Sequence, residues 1–86
     1  MGMDSAQLDA ATHQAYYQSD TRRIKLLVFK NSEGWFYQVH DLDSGEFKNT
    51  PVPDWISGRT FAKQALEQAL GERVDNLSWN VIPNNA

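Results

Sequence analysis

The chain has 86 residues, a formal net charge of -3 at pH 7 and no cysteine. A chain of this length is expected to form one domain and to bury about 60% of the surface of its unfolded state. Without cysteine it can form neither disulfides nor zinc–thiolate sites. Its mild negative charge disfavours nucleic-acid binding through bulk positive charge. No stretch approaches the length of a membrane span, and the first residues lack the basic and long apolar regions of a signal peptide, so we expect a cytoplasmic protein.

The first segment, residues 4–18, has a pattern typical of a helix. Asp4 and Gln7 stand at the spacing of a capping box. Small and apolar residues then recur on one helical face: Leu8, Ala11, Thr12, Ala15 and Tyr16. We therefore predict an N-terminal helix or flexible arm over residues 1–20 and an α+β domain over residues 21–86.

Three strands are predicted between residues 22 and 50. Residues 22–30 alternate apolar side chains between two faces, and the segments 35–42 and 46–50 follow after short turn sequences. Because both connections are short, these strands are expected to form an antiparallel meander. The third strand is expected to end at Pro51, since prolines donate no ladder hydrogen bond.

The most regular pattern predicts a helix over residues 61–70, with Thr60 as its N-cap and Gly71 as its C-cap. Residues 77–82 alternate and predict a short fourth strand. The predicted fold class is therefore α+β, a single small domain with the order α-β-β-β-α-β. Its three-stranded antiparallel meander packs against the helix of the C-terminal half.

The segment 41–45, Asp-Leu-Asp-Ser-Gly, has some features of a calcium loop, but its spacing does not fit. Gly45 comes one position too early, and Val52 stands where the loop needs a bidentate acid. A hairpin turn explains the segment fully.

The aromatic segment 35–40 places large side chains on both faces of its strand. Alternation divides it into Trp35, Tyr37 and Val39 on one face and Phe36, Gln38 and His40 on the other. The preceding strand is also apolar on both faces, whereas one helix covers only one face of a sheet. We therefore predict that the N-terminal helix, a second copy of the chain or a different partner covers the second face.

The two histidines do not indicate a catalytic or metal site. His13 falls in the predicted first helix, where we expect it to be solvated, and His40 lies on a predicted strand. His40 and Asp41 are adjacent on that strand and point to opposite faces, so they cannot pair directly as a base and its orienting acid. We expect no enzyme activity, no cofactor and no metal. A small enzyme that uses His40 with another carboxylate is an alternative.

Two further segments are candidates for binding. Residues 57–60 precede the predicted helix start, where an anion could bind, although a loop with a cap is the simpler interpretation. Residues 51–55, Pro-Val-Pro-Asp-Trp, are stiffened by Pro51 and Pro53 and present Trp55. Trp55 is a binding anchor if it is exposed and a structural residue if it packs beside Phe61, and the sequence leaves both open.

Two family resemblances bear on function. The order of a helix, three strands and a helix resembles the double-stranded RNA-binding domain, and GRTFAKQAL, residues 58–66, is similar to the start of that family's second helix. A lysine cluster binds phosphates there, and the matching segment in this chain carries Arg59 and Lys63. Residues 28–42 and 61–70 resemble the partial RNA-binding-like fold of HicB-type antitoxins, which are acidic domains that bind a toxin. The first resemblance implies RNA binding, and the second implies a protein partner.

From these observations we predict a non-catalytic protein-binding module, a small bacterial or phage-type regulator or inhibitor that occupies a partner surface. Its partner is another protein or a second copy of itself. The predicted binding residues are Trp35, Tyr37, Pro53 and Trp55. The alternative is nucleic-acid binding through a small basic patch that consists of Arg22, Arg23, Lys25, Arg59 and Lys63.

Overall fold

The computed structural model of the chain describes residues 11–83. These residues form five strands and one helix: β1 (Thr12–Gln18), β2 (Arg23–Asn31), β3 (Gly34–Asp41), β4 (Phe47–Val52), α1 (Trp55–Leu70) and β5 (Asn80–Ile82). The strands make one sheet in the order β4-β3-β2-β1-β5, and every neighbouring pair is antiparallel. The predicted α+β class is confirmed, as are the antiparallel meander, now β2-β3-β4, and the short last strand, now β5.

The helix α1 lies across one face of the sheet and forms the core with it. The core cluster consists of Ala15, Ile24, Leu26, Ala62, Leu66 and Val74. The first three come from β1 and β2, where alternate residues point toward the helix. Leu77 and Trp79, just before β5, pack against the same cluster. The hydrophobic core therefore occupies only the helix side of the sheet.

The turns of the meander follow from local sequence chemistry. Gly34 and Gly45 have positive φ values of 120° and 79°, which only glycine adopts without strain. At the second turn, Oδ1 of Asp41 accepts the backbone N–H groups of Asp43, at 2.9 Å, and of Ser44, at 3.2 Å. Asp41 therefore serves the turn, in agreement with the hairpin interpretation of this segment.

Residues 12–18 form a strand, so the prediction of a helix there is wrong. β1 lies between β2 and β5, and its residues alternate, with His13 and Ala15 fully buried and Tyr16 exposed. The alanines suggested a helix, but helix propensity is a weak prior that tertiary packing overrides. β1 belongs to the sheet rather than to a separate arm. The remaining helix residues, which include Asp4, Gln7 and Leu8, lie outside the described part of the chain.

The helix α1 begins six residues earlier than predicted. Its N-cap is Asp54, whose Oδ1 accepts the backbone N–H of Ser57 at 2.7 Å, so the assignment of Thr60 as the N-cap is wrong. Residues 57–60 form helical turns rather than a loop. At the other end Gly71 is the C-cap, as predicted, with a φ of 73°.

The strand β4 continues to Val52, two residues beyond the predicted end. It is an edge strand of the sheet, and within residues 11–83 its one strand neighbour is β3. Pro51 stands opposite Phe36 in the register. A proline is tolerated there because the missing N–H is not needed on the outer side of an edge strand.

Candidate functional site

The face of the sheet opposite α1 carries large apolar side chains from every strand. We call it the open face. Its apolar members are Tyr16, Leu27, Phe29, Phe36, Phe47, Pro51 and Ile82. Tyr16 is 56% exposed, Phe47 60% and Ile82 45%, and the others on the central strands are half-buried by their neighbours. The helix α1 packs on the other side, so among the described residues these side chains form a surface rather than a second core.

Aromatic pairs and amides are arranged in rows across the open face. Phe29 and Phe36 stand opposite each other on β2 and β3, with ring centroids 5.9 Å apart and nearly parallel planes. His40 and Phe47 make an edge contact at 5.4 Å. Between these two pairs runs a row of four amides and one leucine: Asn80, Gln14, Leu27, Gln38 and Asn49. Gln38 Nε2 donates to Asn49 Oδ1 at 2.8 Å, so part of this row is held in place.

The charged residues of the open face are basic. Lys25 lies on β2, opposite Tyr16 on one side and His40 on the other. Arg23 is two residues earlier, and its Nε and Nη2 donate to Oδ1 of Asp43 at 3.0 and 2.8 Å. This hydrogen bond from Arg23 lowers the pKa of the Asp43 carboxyl below its ordinary value. Within residues 11–83, no strand residue that points to the open face is Asp or Glu.

A second group of side chains lies on the helix side of the sheet. We call it the His13 cluster, and it consists of His13, Trp35, Trp55, Arg59 and Trp79. The His13 ring stacks on Trp55 with centroids 4.7 Å apart and contacts Trp35 edge-on at 6.1 Å. The Arg59 guanidinium lies 5.0 Å from the Trp55 ring and 5.4 Å from the Trp79 ring. All three tryptophans of the chain therefore surround one histidine and one arginine.

The hydrogen bonds of the His13 cluster fix the state of the histidine. Arg59 approaches Nδ1 of His13 with its Nε at 3.1 Å and its Nη2 at 2.7 Å. Since a guanidinium only donates, Nδ1 must be the unprotonated acceptor, and the neutral ring carries its proton on Nε2. Burial lowers the pKa of Arg59 below its ordinary value, although an arginine keeps its charge at neutral pH. His13 is fully buried, so the expectation that it is solvated is wrong.

The four residues predicted to bind a protein do not lie on the open face. Trp35 is only 9% exposed and points to the helix side, where Tyr37 packs against the core. Trp55 is half-buried on His13, and Pro53 is exposed in the segment before α1. The structure thus brings Trp35 and Trp55 together in the His13 cluster and gives both tryptophans a packing role.

The five basic residues of the nucleic-acid alternative are distributed over both sides of the sheet. Arg23 and Lys25 point to the open face, whereas Arg59 lies in the His13 cluster and Lys63 lies one turn further along α1. Arg22 is within 3.9 Å of an Asp41 carboxylate oxygen. These residues do not form one continuous basic patch. Residues 57–60 offer no anion-binding loop, since Asp54 caps this helix end.

His40, the residue of the enzyme alternative, lies on the open face against the ring of Phe47. Asp41 points to the helix side, as strand alternation predicted. Among residues 11–83 there is no group of three histidine, aspartate or glutamate side chains that could hold a metal ion. No helix within these residues is long and apolar enough to cross a membrane.

Sequence reasoning missed three residues of the open face: Tyr16, Phe47 and Ile82. Tyr16 was assigned to the apolar side of a helix, although the alternating Thr-His-Gln-Ala-Tyr pattern of residues 12–16 is compatible with a strand. The β-forming residues Thr12, Tyr16 and Tyr17 were the signal that could have identified β1. Phe47 and Ile82 were assigned to strands, but their face could not be fixed without the register.

A scan of protein-family models, a search of curated proteins and a search of solved structures each found no match to this chain. The resemblances to the double-stranded RNA-binding domain and to HicB-type antitoxins gain no support from these comparisons. In addition, β1 occupies the place that the first of these families gives to a helix.

Proposed function

We propose that the protein is a non-catalytic protein-binding module that acts by occupying a surface of its partner. The observation that carries this proposal is the open face, a sheet surface with apolar side chains from all five strands that the helix of the described residues does not cover. Apolar surface of this kind gains about 25 cal/mol for each Å² removed from water. A partner that covers the face would therefore obtain its main driving force from it.

The composition of the open face supports a protein as the partner. Binding surfaces are enriched in aromatic residues and arginine and depleted in Asp, Glu and Lys. The strand residues of the open face match this in their aromatic rings, their arginine and their lack of Asp and Glu, and they depart from it at Lys25. The exposed rings of Tyr16 and Phe47 lie at one end, and the half-buried Phe29 and Phe36 lie at the other. Such aromatic residues are the usual hot spots of an interface. In this proposal they replace Trp35 and Trp55 as anchors.

The cellular role that goes with this proposal is a small regulator or inhibitor, of bacterial or phage type, in the cytoplasm. Blocking a partner requires only a surface and a stable fold, and the open face on its five-stranded sheet supports both. Steric occupation is therefore the mechanism proposed.

Site-specific photo-crosslinking tests this function. A photoreactive phenylalanine analogue is placed at Phe47 on the open face or, as a matched control, at Phe61 on α1, which is 45% exposed on the other side. The proteins are expressed in the source cells and irradiated. We expect one discrete protein adduct from position 47, resistant to nuclease, and none from position 61.

Two results would contradict the proposal. Equal adducts from both positions would show that the open face is not the binding surface. An adduct that disappears after nuclease treatment would favour the nucleic-acid alternative.

A further inference from the structure

The charges of this protein are divided between its two sides. The chain carries 11 acidic and 8 basic residues, yet the strand residues of the open face include Arg23 and Lys25 and no acid. The described Asp and Glu residues lie in the turns, in or beside α1 and, for Asp41, on the helix side of β3. Asp43, in the turn beside this face, pairs with Arg23, and Lys25 adds a second positive charge, so the open face is a mildly basic surface on an acidic protein.

Lys25 lies at the centre of this basic surface. It stands on β2 between Tyr16 and His40, and Phe47 follows His40 on β4. None of the described carboxylates forms an ion pair with its ammonium group, whereas Arg22, Arg23 and Arg73 each have a carboxylate within 4.0 Å. A carboxylate from outside the chain could therefore pair with Lys25 without displacing one from within.

We propose that the partner of the open face is an acidic protein segment that places a carboxylate on Lys25 and an apolar side chain against Leu27, Phe29 and Phe36. This inference rests on the proposed function and adds the chemistry of the partner. On β2 and β3, only the row of amides with Leu27 separates Phe29 and Phe36 from Lys25 and His40, so one short segment reaches both sets. The amides of Gln14 and Asn80 lie in the same row as Leu27, and they offer hydrogen-bond donors and acceptors to a peptide backbone.

The same charges disfavour two other occupants. A second copy bound face to face would bring two cationic surfaces together, and like charges across an interface cost several kcal/mol. Nucleic acid is acidic, but its affinity depends on neutralising several phosphates with Lys and Arg, and the open face supplies only Lys25 and an Arg23 that is already paired with Asp43. The nearly parallel rings of Phe29 and Phe36 also face each other, which leaves fewer free ring faces for the bases that such binding stacks.

A peptide selection tests this inference. Random 16-residue peptides are displayed and selected on the full-length protein, and those that also bind the Phe36→Asp or Phe47→Asp variant are discarded. Circular dichroism and thermal melting check that both variants are folded. We expect the remaining peptides to be enriched in Asp and Glu around one or two apolar residues.

Charge reversal then tests the role of Lys25. Lys25→Glu is compared with Lys30→Glu, the same change on the same strand but on the opposite face. We expect Lys25→Glu to raise the Kd of a selected peptide about tenfold or more, because the acidic segment then meets a like charge. Lys30→Glu should leave the Kd within about twofold of the wild-type value, since charges beyond a Debye length are largely screened.

The possible failures are distinct. Open-face peptides without acidic enrichment, or equal effects of the two charge reversals, would overturn the inference and leave the proposed function intact. A selection in which no peptide depends on Phe36 or Phe47 would contradict both.

Other occupants would also be recognised. The protein could bind a fluorescein-labelled 20-nucleotide oligouridine more tightly than any peptide. If the Phe36→Asp variant loses this binding, the face is assigned to nucleic acid. Concentration-dependent sedimentation that is lost in Phe36→Asp would assign it to a second copy. If the Leu8→Ser variant binds the peptides more tightly than the wild type, the chain's own residues 1–10 compete for the open face. Each of these results would overturn the inference.

Discussion

At the scale of single residues, the contact between His13 and Arg59 joins β1 to α1. His13 is fully buried, and its Nδ1 accepts from both Nε and Nη2 of Arg59. If the arginine is removed, a buried acceptor loses these donors, and an unsatisfied buried group costs about 1–3 kcal/mol. The tryptophan rings of the His13 cluster add cation–π attraction, which is worth about 0.5–2 kcal/mol. We therefore regard this cluster as structural rather than as a binding site.

A double-mutant cycle tests this interpretation. Arg59→Met keeps the apolar stem and removes the donors, and His13→Phe keeps a ring against Trp55 and removes the acceptor. We expect Arg59→Met to lower the free energy of unfolding by about 1–3 kcal/mol, and by about 1 kcal/mol less when His13 is already Phe. Urea denaturation measures all four proteins. Strictly additive losses would show that the two side chains do not depend on each other.

Arg23 and Asp43 provide a residue-scale prediction about pH. The hydrogen bond from Arg23 lowers the pKa of Asp43 in the folded state. The pair therefore stabilises the fold fully above the pKa of an unfolded Asp, about 3.9, and this stabilisation is lost as pH falls through the lowered folded value. An NMR titration of the Asp43 carboxyl carbon should give a pKa below that of a free aspartate. Arg23→Gln should return it toward the ordinary value, and an unchanged pKa in this variant would contradict the assigned cause.

At the scale of elements, the sequence predicted those whose pattern is determined locally. The strands β2, β3 and β4 and the cap at Gly71 were predicted because alternation and turn glycines specify them. β1 was missed because Ala15 and the alanines that precede the strand favour a helix in isolation, whereas the burial of β1 depends on β2 and on α1. The predicted start of α1 is too late because Gly58 interrupts the helical pattern. The glycine is required by the packing of α1 on the sheet, which the local sequence does not show.

Gly58 is required by the packing of α1 on the sheet. A Cβ at this position would lie 2.6 Å from Cγ1 of Val28, a fully buried residue of β2. Alanine is favoured over glycine by about 1 kcal/mol in a helix interior, but overpacking a core costs about 1–3 kcal/mol. We expect Gly58→Ala to lower the free energy of unfolding, whereas Gln64→Ala on the exposed side of α1 should not. Adding Val28→Ala to Gly58→Ala should cost less than the sum of the two single changes, and a stabilised Gly58→Ala protein would contradict this packing.

At the scale of the whole molecule, the two faces of one sheet differ in role. The sequence predicted that a second apolar face would remain, because the strand that is now β2 is apolar on both sides. It could not predict which residues share that face with Phe36, since the register across five strands and the position of β1 are properties of the assembled sheet. The division between a packed face and a basic open face is therefore visible only in the folded chain. That the open face binds a partner remains a prediction.

Two adjacent leucines of β2 allow the two faces to be compared directly. Leu26 is fully buried against α1, and Leu27 is half-buried on the open face. Leu26→Ala should lower the free energy of unfolding by about 2–5 kcal/mol, because it leaves a cavity in the core. Leu27→Ala should cost less than about 1.5 kcal/mol, since most of the contacts of that side chain are expected to come from a partner. Chemical denaturation of the isolated protein measures both losses. If they are equal, the open face is already covered in the free chain and is not available for binding.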